Sequence, residues 1–195
     1  MNIFDYSEDD LHGIIHDVCQ QLASAETGSD AVSIIIHALR RFTIFDLARV
    51  GANIRSEVEK LPEPYKSRYR VYAHDLLDKY HELMSAVKEN GSFSITDKAL
   101  WKEYWMSAAE HLMRPDNDPR SCLSNPAGKF FYRLVYGYVM LIAGKPGHPV
   151  GTPFPGGWCV KEENGEILCP IRDKEKDLPE ALCNYCPAIQ DKRCL

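Results

Sequence analysis

The chain has 195 residues, of which 45% are hydrophobic, and it carries a formal net charge of −5. This length and composition predict one main domain with a substantial hydrophobic core. The acidic balance argues against a general binder of nucleic acids or of anionic membranes, because such proteins carry an excess of basic residues.

The N-terminal segment, MNIFDYSEDDL, lacks the basic start and apolar run of a secretory signal. We therefore expect a cytoplasmic protein, in a compartment that disfavours stable disulfides. The most apolar stretch, residues 130–143, is too short to span a bilayer and predicts a buried helix. A membrane partner is accordingly not expected.

Residues 1–144 predict amphipathic helices joined by short connections. Ser7 can cap a first helix. Ser29 or Asp30 can open a second, whose apolar stripe continues after a kink to Leu61. Successive helices of this kind predict a compact bundle.

Three further helices are predicted in the same region. The third has Tyr, Leu and Val at helical spacing from Tyr65 to Val87, and we assign its tyrosines to core packing rather than to a pocket. Thr96 caps a fourth helix, which ends before Pro115. The fifth begins at Pro126 and continues through Ile142.

A loop at residues 145–157 separates this bundle from the rest of the chain. It contains four prolines and four glycines, so it cannot form a helix or a central strand. We interpret it as an ordered loop that docks a Cys-rich metal-binding module, residues 158–195, onto the bundle. His148 is the candidate in this loop for contact with a cofactor or substrate.

Asn164-Gly165 lies between two short extended runs and predicts a β-hairpin. The fold class is therefore all-α, a bundle of about five helices with a small C-terminal Cys-rich module that contains this hairpin. In a two-residue turn, Val160 faces Cys169 and Cys159 projects to the opposite side. A three-residue loop would instead place Cys159 across from Cys169.

Five cysteines follow the loop with the spacing Cys159-x9-Cys169-x13-Cys183-x2-Cys186-x7-Cys194. The C-x2-C pair lets two sulfurs meet one ion, as in zinc and iron–sulfur sites. With the two-residue turn, we predict the metal ligands Cys169, Cys183, Cys186 and Cys194. With the longer loop, Cys159 replaces Cys194, and Cys122 and His148 are further candidates for a mixed site.

The choice of metal depends on spacing. Structural zinc sites usually combine two close cysteine pairs, and this chain has one. The Cys-Pro steps at 169–170 and 186–187 are similar to those of ferredoxin-type clusters. We therefore favour a [4Fe–4S] cluster and keep zinc as the alternative. A thioredoxin-like redox pair lacks its βαβ surroundings.

A second possible metal stripe lies on the first helix, where His12, His16 and Cys19 share one face at i, i+4 and i+7. This face borders the apolar stripe, where histidine and cysteine commonly pack. Packing is therefore the preferred interpretation.

The segments FFYRLVYGYVMLIAGKPGHPVGTPFPGGW, at 130–158, and CPIRDKEKDLPEALCNYC, at 169–186, resemble an archaeal family. It is the family known as domain of unknown function 2115, or uncharacterised protein family 0305, found mostly in methanogens. The resemblance implies an anaerobic archaeal cytoplasm, where oxygen-sensitive clusters survive. It also implies that Cys169, Cys183 and Cys186 belong to the segment that the family shares.

Two functions follow from these patterns. The first is an accessory metalloprotein whose site orders the tail and presents it to a protein partner that the sequence does not identify. The second is an iron–sulfur redox enzyme or electron-transfer protein that uses the cluster near His148. A nucleic-acid partner is not expected, and the sequence specifies neither catalytic residues nor an oligomeric state.

Overall fold

The computed structural model describes residues 3–114 and 125–194. The α-helices in these ranges are α1 (Glu8–Ala23), α2 (Gly28–Leu39), α3 (Ile44–Glu59), α4 (Tyr65–Tyr69), α5 (Asp75–Lys88), α6 (Lys98–His111) and α7 (Pro126–Leu141). Three short strands follow, β1 (Lys161–Glu163), β2 (Glu166–Cys169) and β3 (Ile189–Gln190). The predicted mostly helical fold with a C-terminal hairpin is confirmed.

Helix α7 forms the centre of the main hydrophobic core. Almost all of its side chains are buried, and it packs against α1, α2, α5 and α6. This explains why its sequence is apolar on all sides rather than along one stripe. In the described part of the chain, no helix has both the length and the apolar character needed to cross a bilayer.

The predicted second helix is two helices. Thr27, rather than Ser29 or Asp30, caps α2, and its hydroxyl accepts a hydrogen bond from the Asp30 N–H. Instead of a kink, the chain makes a complete break, because Thr43 and Asp46 form a capping box that starts α3. The capping box outweighs the continuity of the apolar stripe across this point.

The predicted third helix is also interrupted. After the short α4, residues 70–72 form a 3-10 turn before α5 begins at Asp75. The break allows the Tyr72 hydroxyl to approach Gly151 of the Pro/Gly-rich loop. Hydrophobic periodicity alone did not predict the interruption, because the contact between Tyr72 and Gly151 joins residues far apart in sequence.

The N-terminal cap of α6 differs by one residue from the prediction, whereas the start of α7 agrees with it. Asp97, not Thr96, caps α6, and its carboxylate accepts hydrogen bonds from Ala99 and Leu100. The Thr96 hydroxyl instead donates to the backbone carbonyl of Leu141, which ties the start of α6 to the end of α7. Pro126 occupies the first turn of α7 as predicted.

The hairpin has the predicted two-residue turn. Glu163 pairs with Glu166 in the β1–β2 register, and Asn164 and Gly165 have φ values of 54° and 82°. Positive φ at both central positions is typical of a type I′ turn. Strand β3 was not predicted; it adds to β2 in parallel, with Cys169 opposite Gln190.

The C-terminal segment is attached to the bundle through aromatic and charged side chains. The Tyr185 ring packs edge-on against the Tyr104 ring at 5.0 Å between centroids, inside the main core. The buried Arg133 guanidinium of α7 donates to the backbone carbonyl of Glu180 and lies over Tyr104. The polar tail therefore shares part of its core with the helices.

Gly137 provides a test of the packing between α6 and α7. A Cβ at this position would lie 2.7 Å from Trp105 and 3.0 Å from Tyr104, both fully buried. We expect Gly137→Ala to lower the free energy of unfolding by about 1–3 kcal/mol, since rigid rings cannot move aside. The measurement is denaturant unfolding followed by circular dichroism.

Gly13→Ala is the matched control, because Gly13 lies in α1 with nothing within 4 Å of the added methyl group. It should stabilise the protein by up to about 1 kcal/mol, since alanine favours a helix. Equal effects of the two substitutions would contradict the described α6–α7 packing.

Cys19 provides a test of how α1 is oriented against the core. Its side chain is 0% exposed, burial raises the pKa of its thiol to about 12, and His12 and His16 on the same helix face solvent. We expect a thiol reagent to label Cys19 of the native protein only as it unfolds. Peptide mapping that shows labelling of Cys19 as fast as that of the partly exposed Cys159 would contradict this burial.

Candidate functional site

Cys169 ends strand β2 and is buried, with an exposed fraction of 5%. The backbone amides of Ile171 and Arg172, in the turn that follows, lower the pKa of its thiol, against a larger rise caused by burial. Its own carbonyl accepts a hydrogen bond from the Asp191 N–H at 2.9 Å, which places the end of the tail beside the hairpin.

Cys183 lies on a 3-10 helix, Leu182–Tyr185, and Cys186 follows it directly; the Cys186 N–H donates to the Cys183 carbonyl at 3.1 Å. Arg172 fixes this turn from outside, because its guanidinium donates to the carbonyls of Asn184 and Cys186. Arg172 thus connects the segment that contains Cys169 to the turn that contains Cys183 and Cys186.

The three thiols of Cys169, Cys183 and Cys186, which we call the thiol cluster, interact electrostatically with one another. The Gly147 N–H of the Pro/Gly-rich loop donates to the Cys186 sulfur at 3.3 Å. The Pro/Gly-rich loop therefore contacts the C-x2-C segment through this hydrogen bond.

Burial raises the pKa of the Cys169 thiol and raises that of Cys183 to about 11. Glu175 and the neighbouring thiols raise the Cys183 pKa further, since negative charges disfavour a second thiolate. These thiols are consequently protonated near neutral pH when no cation is present. A bound metal cation reverses this preference, because it stabilises thiolates directly.

Within residues 3–114 and 125–194, no three His, Cys, Asp or Glu side chains are close enough together to form a metal-binding group. The thiol cluster is thus an open arrangement and not a closed coordination sphere. The type of its donors nevertheless fits zinc or an iron–sulfur cluster, both of which prefer thiolate ligands.

The remaining predicted ligands lie elsewhere. The Cys194 thiol interacts with Asp191, Lys161 and Lys174. Cys159 precedes the hairpin and forms an isolated bridge with Pro153. Cys122 lies outside the described residues. Cys194 therefore lies beside Asp191, and the four-cysteine ligand set stays a prediction.

His148 lines a cavity of about 210 Å³ between the Pro/Gly-rich loop and the helices. Burial lowers the pKa of its imidazole, and its ring packs edge-on against Phe154 at 5.3 Å. Other side chains around the cavity are Tyr69, Tyr72, Asp75, Tyr132, Tyr136 and Thr152. Sequence patterns assigned Tyr69 and Tyr72 to the core, whereas they lie at this cavity.

An ion pair lies at one wall of the cavity. Lys79, 6% exposed, donates to the Asp75 carboxylate at 2.6 Å, and the Tyr136 hydroxyl donates to the same carboxylate at 3.0 Å. Sequence reasoning missed both charged residues. Their i, i+4 spacing on the apolar stripe of α5 was the available signal.

The thiol cluster and the cavity are neighbours. Gly147, which contacts the Cys186 sulfur, precedes His148 of the cavity wall. Tyr132, another wall residue, interacts electrostatically with Cys183. Two connections, one through the loop and one through α7, therefore join the sulfur atoms to the cavity.

Comparisons with known proteins assign this chain to a family. Residues 27–191 match the family described as an uncharacterized protein conserved in archaea, DUF2115. A UPF0305 protein of Methanothermobacter thermautotrophicus is 31% identical over 84% of this chain and 96% of its own length. One from Methanococcus maripaludis strain C7 is 26% identical over 74% of this chain and 85% of its own.

One from Methanocaldococcus jannaschii is 23% identical over 76% of this chain and 87% of the relative. No solved structure gives a significant match. The family match covers helices α2 to α7 and the segment that carries Cys169, Cys183 and Cys186. The chain therefore belongs to the DUF2115 (UPF0305) family of archaeal proteins.

Proposed function

We propose that this protein is an accessory metalloprotein in which Cys169, Cys183 and Cys186 bind a metal centre. A [4Fe–4S] cluster is the preferred centre and zinc is the alternative. The bound metal orders the C-terminal tail and presents it, with the Pro/Gly-rich loop, to a protein partner.

One observation carries the proposal, namely a backbone donor at a sulfur of the thiol cluster. The Gly147 N–H donates to the Cys186 sulfur at 3.3 Å, and the backbone amides of Ile171 and Arg172 lower the pKa of the Cys169 thiol. Such N–H donors stabilise metal-bound thiolates and tune the potential of iron–sulfur clusters. Packing of neutral thiols in an apolar core has no need of them.

The energetics of the tail also support the proposal. The small hydrophobic cluster beneath the hairpin has four buried members, namely Phe154, Val160, Cys169 and Ala188. So little apolar burial stabilises a polar segment only weakly. A metal centre adds binding free energy directly to folding, as it does in small metal-stabilised domains.

Metal binding requires the open thiol cluster to close, and the proposed change is confined to side chains. Two residues separate Cys183 from Cys186 in this turn, and Arg172 already fixes the turn beside the Cys169 strand. Rotation of the thiols toward a common point therefore leaves the backbone contacts in place. Cys194 stays the predicted fourth ligand and is tested below.

A second function, electron transfer or redox catalysis by an iron–sulfur cluster, is favoured by the cavity beside the thiol cluster. His148 and Tyr132 connect the two. In this case a molecule in the cavity would lie close to the redox centre, which the accessory function does not require.

Cysteine substitutions test the ligand set in protein purified without oxygen. We expect Cys183→Ala or Cys186→Ala to abolish stoichiometric metal and lower the thermal midpoint, because each removes a thiolate ligand. Cys159→Ser should retain the metal and serves as the matched control. The measurements are elemental analysis and visible absorbance, where a broad band near about 400 nm indicates iron–sulfur chemistry.

Cys194→Ser decides the fourth ligand, since loss of metal assigns it to the site and retention removes it. A metal-free wild type with full native stability would overturn the metal proposal. Loss of metal in Cys159→Ser together with retention in Cys183→Ala would overturn the proposed ligand set.

A further inference from the structure

The cavity beside His148 has tyrosine side chains from two parts of the chain. Tyr69 and Tyr72 come from the α4 region, with their ring centroids 6.4 Å apart. Tyr132 and Tyr136 come from α7, with centroids 4.3 Å apart. Two pairs of rings therefore border a volume of about 210 Å³. Cavities of about 150 Å³ already accept a molecule as large as benzene.

One of these rings already lies beside a positive charge. The Lys79 ammonium sits 5.4 Å from the centroid of the Tyr136 ring, so this ring already has a cation as its neighbour. Electron-rich aromatic faces attract cations, and the attraction is strongest where water is excluded.

The charge of the cavity wall is nearly balanced. Among the described residues that line it, Asp75 supplies a carboxylate and none is a lysine or arginine. Lys79 and the Tyr136 hydroxyl hold this carboxylate in place from behind, and the Lys79 ammonium offsets its charge. A small cation would thus be attracted mainly by the π faces of the rings.

The cavity wall depends on a glycine. Gly151 has a φ of +90°, and a Cβ there would lie 2.4 Å from the Tyr72 hydroxyl. The loop can therefore approach Tyr72 only because this position lacks a side chain. Close contact between the loop and Tyr72 fixes the wall before any ligand arrives, which lowers the entropic cost of binding.

We propose that this cavity binds a small organic cation, of the quaternary ammonium or alkylated amine class, between the four tyrosines and Asp75. Aromatic cages of this kind recognise such cations because the charge is spread over apolar groups that pack against the rings. The proposal does not depend on a metal at the thiol cluster. It assigns a class of ligand to the cavity beside His148, which has no role in the proposed accessory metal function.

Isothermal titration calorimetry on the full chain tests the charge requirement with a matched pair of probes. Choline carries a quaternary ammonium, and 3,3-dimethyl-1-butanol has the same shape without the charge. Tetramethylammonium, a smaller cation, guards against exclusion by size. We expect saturable binding of at least one cation and at least tenfold weaker binding of the neutral alcohol.

Variants locate the site. Tyr136→Leu and Tyr72→Leu should each weaken cation binding at least tenfold, because each removes a ring from the wall. Tyr65→Leu is the matched control, since Tyr65 stacks on Tyr69 but is not part of the cavity wall, and it should bind as the wild type does. Circular dichroism identifies variants that fail to fold, and having two wall variants on different elements keeps the test valid.

Three results would overturn the proposal. The first is equal affinity for choline and the neutral alcohol, which would make this an apolar cavity without charge selectivity. The second is binding of neither cation by the folded wild type. The third is loss of binding in Tyr65→Leu with retention in both wall variants.

Discussion

Cys186 lies where the two hydrophobic clusters of the protein meet, and the rest of the C-terminal structure depends on that contact. It packs against the main core of the helices and also against the small cluster under the hairpin. Its sulfur accepts a hydrogen bond from Gly147, and its carbonyl accepts one from Arg172. Cys186 thus contacts the bundle, the loop and the hairpin segment at once.

This arrangement explains why a polar tail can be ordered at all. Tyr185, next to Cys186, inserts its ring into the main core, and Arg133 of α7 contacts the backbone of Glu180. The main core therefore contributes stability that the small cluster lacks. The hairpin side is held by less apolar surface, because the small cluster around Cys169 has four buried members. A metal centre at that point would complete the attachment.

The sequence predicted best where the physics is local. The Asn164-Gly165 turn follows from the tolerance of both residues for positive φ, and its register followed directly. The apolar character of α7 likewise indicated a central helix. In each case the determining interaction involves neighbours along the chain.

Features that depend on distant contacts were missed. The interruption before α5 accompanies the approach of Tyr72 to Gly151, and β3 pairs with β2 across twenty residues of chain. The cavity needs Asp75, Tyr136 and the loop together. No short sequence pattern predicts that residues so far apart in the chain lie together. The C-x2-C motif, in contrast, suggests metal binding from four consecutive residues. For this reason sequence patterns pointed to the cysteines and not to the tyrosine cavity.

The thiol cluster and the cavity together make the protein a candidate for coupled binding. They share the loop that carries Gly147 and His148, and Tyr132 of the cavity wall interacts with Cys183. A change at the sulfurs can thus reach the cavity through contacts that already exist. Such coupling is reciprocal, so a ligand in the cavity would change metal affinity by the same factor.

Amide hydrogen exchange before and after removal of metal by a chelator tests the central claim most directly. The claim is that a metal bound by Cys169, Cys183 and Cys186 fastens the tail to the helices. It predicts faster exchange in residues 169–190 after metal removal, while α7 keeps its protection because its core does not involve the metal. Unchanged protection of residues 169–190 after complete removal of the metal would contradict the claim.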